Sequence, residues 1–208
     1  MNKILLIPGS FNPITNAHVD MALAAKKAVN ADIVYFIPAH DTYVAKKKTL
    51  IPGYCRVSLI NSMPNCEKDN IWALDIETTS FFPQRTYNTI TQLRDEAEKD
   101  YKFNEYYICL GMDNIKDLPA WYNWKPFVEE YQFVACVREG QKLETALQES
   151  GLMEYKDHFT EIRIPENHTS SSLVRNLCEK GEFDQVKQLV PENVYEYLIR
   201  FYDVMNRI

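Results

Sequence analysis

The chain has 208 residues, 46% hydrophobic and 12% aromatic, enough for one good core, and a single domain is expected. Its net charge of -6 argues against sequence-independent binding to a nucleic acid backbone, so no nucleic acid partner is expected, and small anions would need a local basic site. No apolar run approaches the roughly 18 to 20 residues of a membrane span, and the start lacks a secretory signal; Cys55, Cys66, Cys109, Cys136 and Cys178 show neither close pairing nor metal spacing. A cytoplasmic protein with reduced thiols and no membrane partner is expected.

In chain order, strand-like runs fall at Lys3–Pro8, Asp32–Pro38, Ile71–Asp75, Tyr106–Gly111, Gln132–Val137 and Phe159–Pro165. Helical patterns lie between them, with apolar spacing at Val19, Ala22, Ala25 and Val29 behind an Asn16 cap, then over Arg56–Met63 and Thr86–Ala97. Strands alternating with helices imply parallel crossovers, hence an α/β fold with a doubly wound, mostly parallel open sheet. The last part differs: helices follow Ser171, span Asp184–Leu189 and run from Glu192, the last with Val194, Leu198, Phe201 and Met205 on one stripe. An α/β core over residues 1–165 and C-terminal helices over 166–208 are expected within the one domain.

The first crossover opens with Pro8-Gly9-Ser10-Phe11-Asn12-Pro13-Ile14-Thr15-Asn16-Ala17-His18. A sharp loop between a strand and a helix start aims backbone N–H groups and the positive end of a helix dipole at one place, which favours an anion such as phosphate. Thr15 and His18, three residues apart, can face the same side and donate to phosphate oxygens; a solvated histidine in an ordinary turn is the rival reading. Neither a Gly-Lys-Ser/Thr loop nor the three-glycine dinucleotide pattern is present. Three lysines, Lys46, Lys47 and Lys48, follow the second strand, either as a solvated face or as cations near the same loop. Gly111-Met112-Asp113 ends the fourth strand, where Asp113 can meet ribose hydroxyls or cap the next helix. Ser170, Ser171 and Ser172 precede a helix that carries Arg175 four residues after Ser171, so one helix start offers hydroxyls, N–H groups and a cation.

Gly9-Ser10-Phe11-Asn12-Pro13 followed by His18 resembles the G-x-F-[DN]-P-x-[HT]-x-[GA]-H signature of the nucleotidyltransferase superfamily, with Thr15 where His is usual and Ala17 where Gly is usual. The run from Gly111 to Trp124, Gly-Met-Asp-Asn-Ile-Lys-Asp-Leu-Pro-Ala-Trp-Tyr-Asn-Trp, is similar nearly residue for residue to the nicotinate mononucleotide adenylyltransferases of bacteria. The run from Lys46 to Val57 resembles a segment of the nicotinamide mononucleotide enzymes, Thr86-Tyr87-Asn88-Thr89 a helix-opening turn of the same family, and Thr169 to Arg175 its I-S-S-T-x-[IV]-R element.

The resemblance implies adenylyl transfer from ATP to nicotinic acid mononucleotide, with nicotinamide mononucleotide as a second acceptor, in NAD biosynthesis. It implies that Gly9, Ser10, Phe11, Thr15, His18, Gly111, Asp113, Ser170, Ser171, Ser172 and Arg175 bind ATP. Asn12, Lys47, Glu77, Thr78, Thr86 and Trp121 would bind the mononucleotide, Trp121 by stacking on the pyridine. His18, Arg175 and Lys46 or Lys47 would stabilise charge during transfer. Mg²⁺ would arrive with ATP, since no dedicated carboxylate cage is visible and no protein metal site is expected. Oligomeric state stays open, a homo-oligomer included. Thr15 also suits a phosphopantetheine adenylyltransferase, although the Pro119-Ala120-Trp121 segment does not, and a nucleotide sensor without catalysis is a further alternative.

Overall fold

Six strands organise the computed structural model, which describes residues 1–44, 50–164 and 169–205. They are β1 (Asn2–Gly9), β2 (Ile33–Pro38), β3 (Ile71–Ala73), β4 (Asn104–Gly111), β5 (Gln132–Val137) and β6 (Phe159–Arg163), in the sheet order β3-β2-β1-β4-β5-β6. This is a doubly wound open α/β sheet. Strands are added outward in one direction from β1 and then in the other from β4, and open sheets bind ligands beyond the carboxyl ends of strands at such a reversal. The loop that leaves β1 occupies that kind of position.

The described residues fall into two compact units. One holds Met1–Pro8, Met21–Tyr35 and Gln84–Glu166; the other holds Gly9–Asp20, Phe36–Pro83 and Asn167–Ile208. In the first unit β1, β4, β5 and β6 pair in parallel, with Leu5 opposite Tyr107, Ile108 opposite Phe133 and Val134 opposite Thr160. A parallel sheet covered on both faces needs unbroken apolar runs, and Ile4–Ile7, Ile108–Leu110 and Phe133–Val137 are all buried. The helices here include α5 (Thr86–Lys99), α6 (Met112–Asp117), α7 (Trp124–Glu130) and α8 (Leu143–Ser150). The chain leaves α8 through Gly151, at φ 73°, a conformation that costs glycine nothing.

The second unit contains α2 (Asp41–Val44), α3 (Gly53–Asn61), α4 (Cys66–Asp69), α9 (Ser171–Glu179), α10 (Phe183–Val186) and α11 (Glu192–Met205). The C-terminal helices therefore cluster with the loop after β1. Three local expectations change. Asn16 is the first residue of α1 (Asn16–Val29) rather than its cap, because its side-chain amide donates to the Gln188 carbonyl at 3.1 Å and its backbone N–H to that of Leu189 at 2.9 Å. The buried stripe of α11 is Val194, Leu198 and Tyr202, a steady spacing of four that leaves Met205 exposed. Strand β3 stops at Ala73, where the Asn61 side chain takes over the backbone: its Oδ1 accepts the Ala73 N–H at 2.6 Å, and its Nδ2 donates to the Ala73 carbonyl at 3.2 Å.

Candidate active site

The loop after β1 is fixed by its carbonyl oxygens. The Gly9 carbonyl accepts the Ala39 N–H at 2.8 Å, and that of Ser10 accepts an Arg56 N–H at 2.6 Å. The Asn12 carbonyl accepts from Arg175 at 2.6 Å and the Pro13 carbonyl from the Ser171 hydroxyl at 2.8 Å. Two residues of the Thr169–Arg175 element, Ser171 and Arg175, thus both grip the first loop. Ser170 caps α9 by accepting the Leu173 N–H at 3.1 Å, and Ser172 accepts the second arm of Arg175 at 2.9 Å. Burial lowers the pKa of Arg175, with Tyr202 and Glu179 acting in the opposite sense.

Within the loop, Gly9 is required by space. A Cβ there would lie 2.7 Å from Cζ of Phe11. Phe11 takes a left-handed φ of 43° and is 3% exposed, its ring meeting Phe36 edge-on at 4.9 Å and His18 at 5.3 Å between centroids. The other side of His18 is set by Thr15: the imidazole Nδ1 lies 3.1 Å from the Thr15 N–H and 2.8 Å from its hydroxyl. A backbone N–H can only donate, so Nδ1 is the acceptor and the ring proton sits on Nε2. This is the reciprocal half of a capping box, with histidine as the third helical residue where Glu or Gln is usual. Thr15 was expected to donate to phosphate; it is fully buried and its hydroxyl faces His18, so it orients the imidazole.

Asn12, expected to meet the mononucleotide, is fully buried as well. Its Oδ1 accepts the Ile51 N–H at 2.9 Å, which makes it a strut under the loop. Glu77 is 4% exposed, whereas the Thr78 hydroxyl donates to the Asp75 carbonyl at 3.0 Å and its Cβ would stand 2.7 Å from a side chain at Gly53. Lys46 and Lys47 lie outside the described residues.

The other expected residues belong to the first unit. Gly111 caps α6 in an extended conformation, and Asp113, in the first turn, is exposed. Asp113 borders a hollow of about 240 Å³ with Lys116, Gln141, Lys142 and Thr145. Trp121 is half-buried and nearly parallel to Phe127, at 6.4 Å and 20°; Trp124 instead meets Tyr155 edge-on. Thr86 opens α5, and the next residue, Tyr87, packs its ring on Phe127 and donates to Glu130 at 3.0 Å.

Sequence reasoning missed Arg56, the largest fully buried side chain among the described residues. A signal was there: the buried residues of α3 are Gly53, Arg56, Leu59 and Ile60, so the arginine stands on the apolar stripe of its own helix.

A sheet of this order, with an anchored loop and a histidine-bearing helix after its first strand, is the fold of a Rossmann-like nucleotidyltransferase. The cytidylyltransferase-like family model matches residues 6–177, most of the chain, and the chain belongs to that family. A Dehalococcoides mccartyi protein named "Probable nicotinate-nucleotide adenylyltransferase" is 30% identical over 197 residues, 94% of each chain. A Bacillus anthracis protein of the same name is 28% identical over 200 residues, covering 96% of this chain and 97% of its own. Among solved structures, the Plasmodium falciparum nicotinic acid mononucleotide adenylyltransferase complexed with APC superposes with a TM-score of 0.74 over 98% of both chains at 22% identity. Its complex with NaAD gives 0.73 at the same identity and coverage. That likeness carries the fold.

Proposed function

We propose that this chain transfers the adenylyl group of ATP to nicotinic acid mononucleotide, forming the deamido dinucleotide and pyrophosphate, with slower use of nicotinamide mononucleotide. The observation that carries the reading is the loop after β1, whose Gly9, Ser10, Asn12 and Pro13 carbonyls are drawn onto Ala39, Arg56, Arg175 and Ser171 while Thr15 aims His18. Relatives named for this activity along nearly the full chain support it.

A phosphate oxygen of the mononucleotide attacks the α-phosphorus of ATP in line. One P–O bond forms, the bond to the β-phosphate bridge breaks, and pyrophosphate leaves with its electron pair. The attacking group is already an anion, so no protein nucleophile or base is needed. The protein supplies alignment and charge. His18 donates from Nε2 to the developing charge, and Arg175, Ser170 and Ser172 line the triphosphate at the start of α9. Lys46 or Lys47 adds a cation, Asp113 receives the ribose hydroxyls, and Trp121, backed by Phe127, stacks on the pyridine ring. Glu77, Thr78 and Thr86 border the mononucleotide. Mg²⁺ enters on the triphosphate as part of the substrate, held chiefly by the phosphate oxygens and water. No helix among the described residues is long and apolar enough to cross a membrane.

Acid and amide acceptors differ by one charge at nearly equal size, and N–H donors suit the acid. The test is pyrophosphate release with ATP and each acceptor in turn. An amide preference of about tenfold or more in kcat/KM, roughly 1.4 kcal/mol, overturns the acid assignment. No release with either acceptor overturns the reaction.

A further inference from the structure

Arg56 is 1% exposed, and an arginine is that deeply buried only when its donors are matched. Its Nε–H donates to the Ile51 carbonyl at 3.0 Å, one terminal nitrogen to Ser10 at 2.6 Å, and the other to the Ala39 carbonyl at 2.7 Å and Asp41 Oδ1 at 2.6 Å. Asp41 neutralises the cation and accepts the Gly53 N–H at 3.2 Å through its second oxygen. What Arg56 delivers is therefore geometry more than charge.

That geometry bears on the N–H groups of the loop. In a trans peptide the carbonyl and the N–H point opposite ways, and among the described residues only the Asn12–Pro13 bond is cis. Holding the Ser10 oxygen on Arg56 turns the Phe11 N–H to the other side of the chain. The Gly9 oxygen, bound by the Ala39 N–H, does the same for the N–H of Ser10, and Arg56 also holds the Ala39 carbonyl. One guanidinium thus sets the Ser10–Phe11 peptide directly and holds in place the residue whose N–H sets the Gly9–Ser10 peptide.

We propose that Arg56 is a positioning residue for the triphosphate: without touching the nucleotide, it turns the Ser10 and Phe11 N–H groups toward the phosphates by holding the Ser10 and Ala39 carbonyls. The inference rests on reading the loop as the ATP phosphate site. It separates Arg56 from Arg175, whose charge is not matched by an ion pair among the described contacts.

The test compares Arg56→Lys and Arg56→Ala with the parent chain. Lysine keeps the charge but has a single nitrogen in place of the planar fork, so it cannot reach Ser10, Ala39 and Ile51 together. Calorimetric titration with ATP alone and with nicotinic acid mononucleotide alone, next to a thermal melt, gives the readout. Expected are a cooperative melt for Arg56→Lys, ATP affinity lower by about tenfold or more, and mononucleotide affinity within about twofold of the parent. Millimolar guanidinium should restore ATP binding to Arg56→Ala, and methylammonium should not. Parental ATP affinity in Arg56→Lys overturns the proposal, as does equal weakening of both ligands without guanidinium rescue, or failure of both variants to fold. If the parent binds ATP but releases no pyrophosphate, the proposed reaction fails while the ATP titrations still judge Arg56.

Discussion

Replacing Gly9 with alanine puts one methyl group into the most crowded part of the loop. The new Cβ would sit 2.7 Å from Cζ of Phe11 and 3.1 and 3.2 Å from its two Cε atoms. Carbon atoms settle at about 3.5 to 4.0 Å, so the ring must retreat by roughly 1 Å. It has little room: Phe11 is 3% exposed and held edge-on between Phe36 and His18. Overpacking of this kind costs about 1 to 3 kcal/mol. For a chain of this size each kcal/mol lowers Tm by about 2 to 4 °C, so a fall of about 2 to 12 °C is expected by scanning calorimetry. Because the displaced ring leans on His18, kcat for pyrophosphate release should also fall, by roughly 10- to 100-fold, as reacting groups lose alignment. Leucine at position 11 lacks the ring atoms that collide, so a double-mutant cycle of Gly9→Ala with Phe11→Leu should show coupling of about 0.5 to 3 kcal/mol. Parental Tm and turnover in Gly9→Ala would refute the reasoning; additivity in the cycle would show that Phe11 is not what the methyl group meets.

His18→Ala should lower kcat about 100- to 1000-fold with a small change in mononucleotide affinity, whereas Thr15→Val, which removes one hydrogen bond to Nδ1, should cost only about 0.5 to 1.5 kcal/mol of barrier. Equal losses in steady-state assays would mean that Thr15 does more than orient the ring. Trp121→Ala should raise the mononucleotide KM by an amount worth roughly 1 kcal/mol and leave that of ATP unchanged; a matching rise for ATP would end the stacking assignment. Stability should decline above about pH 9. Burial pushes the Cys178 thiol up to about 11, and the hydrogen bond with the free thiol of Cys136 together with burial lifts Cys109 well above its usual value. The unfolded chain then loses protons that the folded one keeps, so the contribution is complete below the unfolded thiol pKa and is lost as pH rises through the folded values. Urea midpoints that stay flat from about pH 7 to 11 would contradict this.

The sheet was legible because parallel strands covered on both faces must be written as unbroken apolar runs, as in Ile4–Ile7 and Phe133–Val137. The loop was legible for a different reason: glycine, two prolines and a helix start within a few residues leave few conformations. The division of labour inside the loop was not. Thr15 and Asn12 carry the same polar groups whether they face a ligand or a neighbouring side chain, and only the fold turns them inward. Arg56 is the sharper case, since charge suggests the surface while its place on the apolar stripe of α3 decides the matter. The short helices α2 and α4, at four residues each, hold too little periodicity to be seen in a sequence.

The anchoring of the first loop also has an order in time. Asn12 and Pro13 leave the ribosome early, but the groups that take their carbonyls, Arg175 and Ser171, are made 163 and 158 residues later. Contacts that distant are slow to form and cannot begin before Ser171 and Arg175 have been made. A nascent or C-terminally shortened chain can lay down β1, β4 and β5 and hold the Gly9 and Ser10 carbonyls on Ala39 and Arg56, yet leave those of Asn12 and Pro13 without their anchors. The loop proposed to take the triphosphate is thus completed only once α9 has been made, and a ligand that binds the finished loop alone would stabilise α9 in place.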